Sequence, residues 1–192
     1  MKKTTTEQNL FSDYFQIFTV IDYCISEKLI TPALILIYST IDSISWLSTE
    51  NSDQRNKEYF QNWVDTWMLK HYPLPCTSLE LYAARCGILH TLTPSSDLSK
   101  KKGVRQISYA WGNASHIDLE NTIQVLGNRS LVAVHVNDIL TSLRSGFIDF
   151  LSSIESNENS KKLFAQKASL HFVNTETNIV TEFLASHNKE MK

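Results

Sequence analysis

The stretch LELYAARCGILHTL, Leu79 to Leu92, is apolar nearly all round, yet it carries Arg85 at its centre and His90 near its end. A helix apolar on every side belongs inside a bundle. Thr77 and Glu80 stand at capping-box spacing and give this helix a defined start, and Leu92-Thr93-Pro94 closes it. Arginine is almost never buried without a partner, because its charge cannot be titrated away. Arg85 and His90 therefore mark either a structural ion pair or an anion site.

Upstream, Thr4 and Glu7 form another capping-box pattern, and Phe11, Phe15, Phe18, Ile21, Ile25 and Leu29 repeat at helical spacing. Thr31-Pro32 is a second start signal. The helix that follows runs to about Leu47 and is apolar enough to be central. After a polar connector from Asn51 to Asn56, Tyr59, Phe60, Trp63, Val64 and Trp67 mark a third helix, and Pro73 and Pro75 break the chain. Downstream of the opening helix lies a polar, basic loop from Ser95 to Arg105.

The period then changes. Gln106–Gly112, Asn121–Leu126 and Ser130–Val136 alternate at period two, and Gly127-Asn128 between apolar runs is a hairpin signal. A small two- or three-stranded β insertion, with a hairpin at Gly127-Asn128, is predicted here. Asn137 then caps an amphipathic helix whose apolar face carries Val136, Ile139, Leu140, Leu143, Phe147, Phe150, Leu151 and Ile154. The fold class is mainly α: an antiparallel bundle of about five helices with a β insertion before the last long helix. One domain covers residues 7–155, with the insertion at about 104–135. Residues 156–192 form a weakly patterned C-terminal extension whose end is expected to be disordered in part.

Composition narrows the function classes. The 192 residues are 42% hydrophobic and 20% charged with net charge −2, so no global basic field invites nucleic acid and any such contact must be local. Cys24, Cys76 and Cys86 are odd in number and lack CxxC spacing, as expected of reduced cysteines in a cytoplasmic protein. No apolar signal core follows the N-terminus, and the longest apolar run, Ala33 to Tyr38, is too short to span a bilayer. No membrane association and no cofactor are expected. His71, His116, His171 and His187 show no ligand spacing, which argues against a zinc site, and there is no Walker loop or GxGxxG.

Arg85-x4-His90, on a central helix that follows an antiparallel helix pair, resembles the signature of the HEPN superfamily of helical-bundle domains. Many members are RNases of toxin–antitoxin, antiphage and CRISPR systems. The resemblance covers roughly Phe11 to Leu92 and the helix from Val136 to Ile154. The spacing alone is weak, since roughly 0.5 matches arise by chance in such a chain. A second match, Arg129-x5-His135, lies in a strand-like segment and is set aside. Many active members carry a small polar residue directly after the arginine, where this chain has Cys86. The resemblance implies a metal-independent RNA endonuclease or RNA-binding domain, a homodimer, RNA as ligand, and a cognate antitoxin or other protein partner.

The candidate catalytic residues are Arg85, as a clamp on phosphate, and His90, as the proton-transfer group. Five helical residues turn about 500°, so their side chains point about 140° apart. On that geometry two chains across a dimer axis would be needed to focus both groups on one phosphate. Lys100, Lys101, Lys102 and Arg105 form the only dense basic cluster, with Tyr109 and Trp111 behind it, and are candidate substrate-binding residues. Asp42, the lone acid of the second helix, and Cys86 are candidate supporting residues. The alternative is a non-catalytic helical interaction module in which Arg85 pairs with Asp42 as a structural ion pair.

Overall fold

A computed structural model describes residues 6–49, 54–101 and 103–170. Thr4 and residues 171–192, including most of the C-terminal extension, lie outside the described residues. The chain is mainly helical, with seven α-helices and a two-stranded parallel sheet among the described residues.

Helices α1 (Thr6–Ser26) and α2 (Ile30–Ser48) form the first pair. Lys28 closes α1 in the left-handed region at φ 60°, and Leu29 N–H reaches back to the Cys24 carbonyl at 2.7 Å. Because α2 starts at Ile30 with no side-chain cap, Thr31 and Pro32 sit inside its first turn rather than at its boundary. Helix α2 is central: Ala33, Leu34, Ile37, Tyr38, Ile41, Ile44 and Leu47 are all buried. It is also the one helix among the described residues long and apolar enough to cross a membrane, and here half of it is buried in the fold.

Helix α3 (Asn56–Trp63) passes directly into a π-helical turn, Val64–Met68. Helix α6 (Val136–Glu155) crosses that turn at Gly146, where an added Cβ would lie 3.0 Å from Met68 N and from the Trp67 carbonyl. The crossing is close because no side chain intervenes. Helix α7 (Glu158–Ala168), capped by Asn157, buries Phe164 and Ala168 in the same core. Lys167 ties α7 to the end of α2: its Nζ donates to the carbonyls of Trp46, at 2.6 Å, and Thr49, and lies 5.1 Å from the Trp46 ring centroid. A cation there meets the exposed carbonyls of a helix C-terminus.

The predicted β insertion is present as a two-stranded sheet, but it is not a hairpin. Strands β1 (Gln106–Ala110) and β2 (Leu131–His135) run parallel, with Gln106 opposite Leu131 and Ala110 opposite His135. Parallel strands need a crossover, and helix α5 (His116–Val125) supplies it. The local chemistry explains the difference. Ser115 Oγ accepts the Ile117 N–H and starts a helix where an alternating strand was expected. Gly127, at φ 65°, ends that helix, and Asn128 N–H closes back on the Ile123 carbonyl. The left-handed glycine that a tight hairpin would use serves here as a helix cap. Helix α6 also starts differently: the His135 ring, not Asn137, caps it, with Nδ1 accepting the Asn137 N–H.

Candidate functional site

Helix α4 (Ser78–Thr91) carries the candidate site. Its N-terminus is a complete capping box. Thr77 Oγ1 accepts the Glu80 N–H at 3.2 Å, and Glu80 Oε2 accepts the Thr77 N–H at 2.8 Å. Glu80, with its side chain only 4% exposed, also takes the Arg105 backbone N–H, Nε and Nη2 at 3.1, 2.7 and 3.0 Å. Arg105 is thus a clasp between the loop and α4, and its Nη2 further donates to the Pro75 carbonyl. Burial pushes the Glu80 carboxyl up, but the bonds from Arg105 and the Thr77 N–H outweigh it and hold it below its ordinary 4.5. A carboxyl depressed in the folded state adds stability above its unfolded pKa and loses it as pH falls through the folded value. Denaturant midpoints from neutral pH downward will therefore show an acid-side loss below about pH 4.5 that Glu80→Gln lacks.

The middle and last turn of α4 hold Arg85 and His90. Arg85 Nε donates to Asp42 Oδ2 at 2.6 Å, and Nη2 closes on the same oxygen. Arg85 Nη1 lies 3.0 Å from His90 Nε2. The expected 140° separation of the two side chains did not keep them apart. The long arginine side chain runs along the helix and meets the ring one turn on, within a single chain. Its guanidinium also lies 5.8 Å from the Tyr82 ring centroid. The Asp42 and Arg85 side chains are 21% and 12% exposed, whereas His90 is exposed. Burial pushes the Asp42 carboxyl above its ordinary value against the pull of Arg85. Asp42 Oδ1 is buried with no hydrogen-bond partner among the described residues.

His90 and Cys86 face a cleft of about 570 Å³ walled by Thr91, Thr93, Ser95, Ser96, Asp97, Leu98 and Lys100. The wall is positioned by two features of the α4 terminus. Leu92 adopts the left-handed conformation at φ 53°, so the chain doubles back and Thr93 N–H bonds the Gly87 carbonyl. Gly87 then lets the loop lie against the helix, since a Cβ there would be 2.5 Å from the Thr93 carbonyl oxygen and 3.2 Å from that of Ser95. Gly87→Ala is expected to cost about 1–3 kcal/mol and to move the amide resonances of residues 91–99, measured by denaturation and two-dimensional NMR.

The candidate binding residues do not gather in one place. Lys100 lines the cleft and pairs with exposed Asp97 at 3.1 Å. Lys101 is exposed. Lys102 lies outside the described residues. Arg105 is held by Glu80 at the opposite end of α4. Tyr109 turns its hydroxyl to Tyr38 at 2.8 Å, and burial raises its pKa. Trp111 is 42% exposed beyond the end of β1. The hydroxyl-rich wall from Thr91 to Ser96 was not foreseen. Gly87, the single glycine of α4 and three residues before His90, was its one sequence signal. Among the described residues no group of three or more His, Cys, Asp or Glu is placed to hold a metal ion. Cys24, Cys76 and Cys86 are free, and burial pushes the Cys76 thiol up to about 12.

Compared with known proteins, the chain matches no protein-family model, no curated protein and no solved structure.

Proposed function

We propose that this protein is a metal-independent RNA endonuclease that acts at the Arg85–His90 end of α4. The observation that carries this reading is the line Asp42–Arg85–His90. A partly buried carboxylate holds a guanidinium, the guanidinium touches an imidazole, and the imidazole opens on the cleft walled by Thr91, Thr93, Ser95, Ser96, Leu98 and Lys100. Arg85 supplies fixed positive charge for a phosphodiester. His90 supplies the one imidazole on this cleft, the side-chain type most used for proton transfer near neutral pH.

The chemistry is attack of the ribose 2′-oxygen on the adjacent phosphorus. The 2′-hydroxyl gives its proton to an imidazole nitrogen, the P–O5′ bond breaks, and the 5′-oxygen takes up a proton. The products are a 2′,3′-cyclic phosphate and a 5′-hydroxyl. The attacking and leaving oxygens lie on opposite sides of phosphorus, so one imidazole does not serve both at once. A second copy of the site across a homodimer axis supplies the other proton transfer.

A second reading rests on the Asp42–Arg85 contact alone. It makes the pair a structural clasp between α2 and α4 in a non-catalytic interaction module. Incubation of labelled RNA in EDTA with wild type and His90→Ala separates the two. Cleavage by wild type that is lost in the variant supports the nuclease. No cleavage by either leaves the clasp.

A further inference from the structure

Arginine has no hydrogen-bond acceptor. The 3.0 Å contact between Arg85 Nη1 and His90 Nε2 therefore has one direction: the guanidinium donates and the ring nitrogen accepts. The proton of a neutral His90 is then confined to Nδ1. His135 is held the opposite way. Its Nδ1 accepts the Asn137 N–H at 3.1 Å, and its Nε2 faces the Gly112 carbonyl at 3.3 Å, so its proton belongs on Nε2. One chain thus contains two histidines fixed as opposite tautomers by their neighbours.

Asp42 adds an independent observation. Both Arg85 donors, Nε and Nη2, converge on Oδ2, while Oδ1 is buried without a partner among the described residues. A guanidinium and a carboxylate ordinarily meet as a two-by-two fork. The vacant oxygen gives the guanidinium a second position in which it keeps its counter-ion while its outer nitrogen leaves His90. An unpaired buried carboxylate oxygen is costly, so that second position also relieves an existing penalty.

We propose that Arg85 masks the basic nitrogen of His90 in the resting protein and that a phosphodiester in the cleft removes the mask. The anion draws Nη1 onto its own oxygens, and Nε2 becomes free to accept a proton. Arg85 is in this account a positioning residue for His90 as well as the anion clamp. The choice of a phosphodiester as the unmasking ligand rests on the nuclease reading above. The masked tautomer does not.

The test is the nitrogen NMR spectrum of the histidine rings, recorded at a pH where titration shows His90 neutral. In the free protein His90 is expected to carry its proton on Nδ1 and His135 on Nε2, so the second ring is an internal control. The probe is the dinucleotide thymidylyl-thymidine, which lacks the 2′-hydroxyl and is not cleaved by this route. At saturation, followed by the amides of Thr93 and Ser95, it should shift His90 Nε2 and leave His135 unmoved. In Asp42→Asn/Arg85→Met, which removes both charges together and so avoids a lone buried ion, His90 should take the Nε2–H form without ligand. A free-state proton on His90 Nε2 overturns the mask. A His90 ring unmoved by saturating dinucleotide, or a cleft that does not bind it, overturns the unmasking. RNA cleavage together with a free-state Nε2–H ring removes the mask and keeps the nuclease. The masked ring in a protein that cleaves no RNA supports the mask and removes the nuclease.

Discussion

His90→Ala is expected to lower RNA cleavage in EDTA by about 10²–10⁴-fold, the usual contribution of a positioned proton-transfer group. The loss should come without a change in folding. His90 sits in the last turn of α4, is exposed, and among the described residues makes its one hydrogen bond to Arg85. Truncating an exposed side chain typically changes stability by no more than about 0.5 kcal/mol. Thermal melts of wild type and variant should therefore overlay while single-turnover cleavage rates separate. Equal rates would show that the chemistry, wherever it occurs, does not use this imidazole.

Arg85→Ala is expected to cost about 3 kcal/mol of folding stability, at the low end for breaking a buried pair because both side chains keep some exposure. The mechanism is the charge left behind. Asp42 lies on the central helix α2, and burial already pushes its carboxyl up while Arg85 is present. Without the guanidinium, that carboxylate must either take a proton or remain desolvated and alone. Asp42→Asn/Arg85→Met removes both charges and should recover most of the loss, since apolar or neutral replacements of buried pairs are often close to neutral. Urea denaturation of the three proteins measures the cycle. A destabilised single variant and a restored double variant identify the clasp between α2 and α4, and that clasp is compatible with catalysis. A single variant as stable as wild type would leave the pair with a role only through the Arg85 contact to His90.

The helical part of the fold was legible because its signals are local. The Thr77–Glu80 capping box and the apolar faces of α2 and α6 act within one turn or one face, and each is found where the sequence places it. The pairing of Asp42 with Arg85 was also legible, from one acid and one arginine on two apolar helices. The sheet was not. Gly127-Asn128 can end a helix or turn a hairpin, and only the Ser115 cap upstream decides between them. Helix α7 was missed because its apolar contribution is confined to a few residues such as Phe164 and Ala168. The contact between Arg85 and His90 escaped an argument from helical angles because that argument treats side chains as short radial vectors. An arginine spans a full turn along the axis, and its reach outweighs its azimuth. The basic cluster dispersed for a related reason. Arg105 and Lys100 are close in sequence, but Glu80 holds Arg105 at the N-terminus of α4 while Lys100 stays at the cleft beside its C-terminus.

In the proposed reaction the ribose 2′-hydroxyl is the nucleophile and His90 moves its proton. The most direct measurement uses an RNA that wild type cleaves in EDTA, resynthesised with a single 2′-deoxy nucleotide at the scissile position, with product ends identified by mass spectrometry. The expected result is 2′,3′-cyclic phosphate ends from the all-ribose RNA, no cleavage at the 2′-deoxy position, and loss of both products and rate in His90→Ala. Cleavage that persists at the 2′-deoxy position, or cyclic-phosphate products formed equally well by His90→Ala, would contradict it.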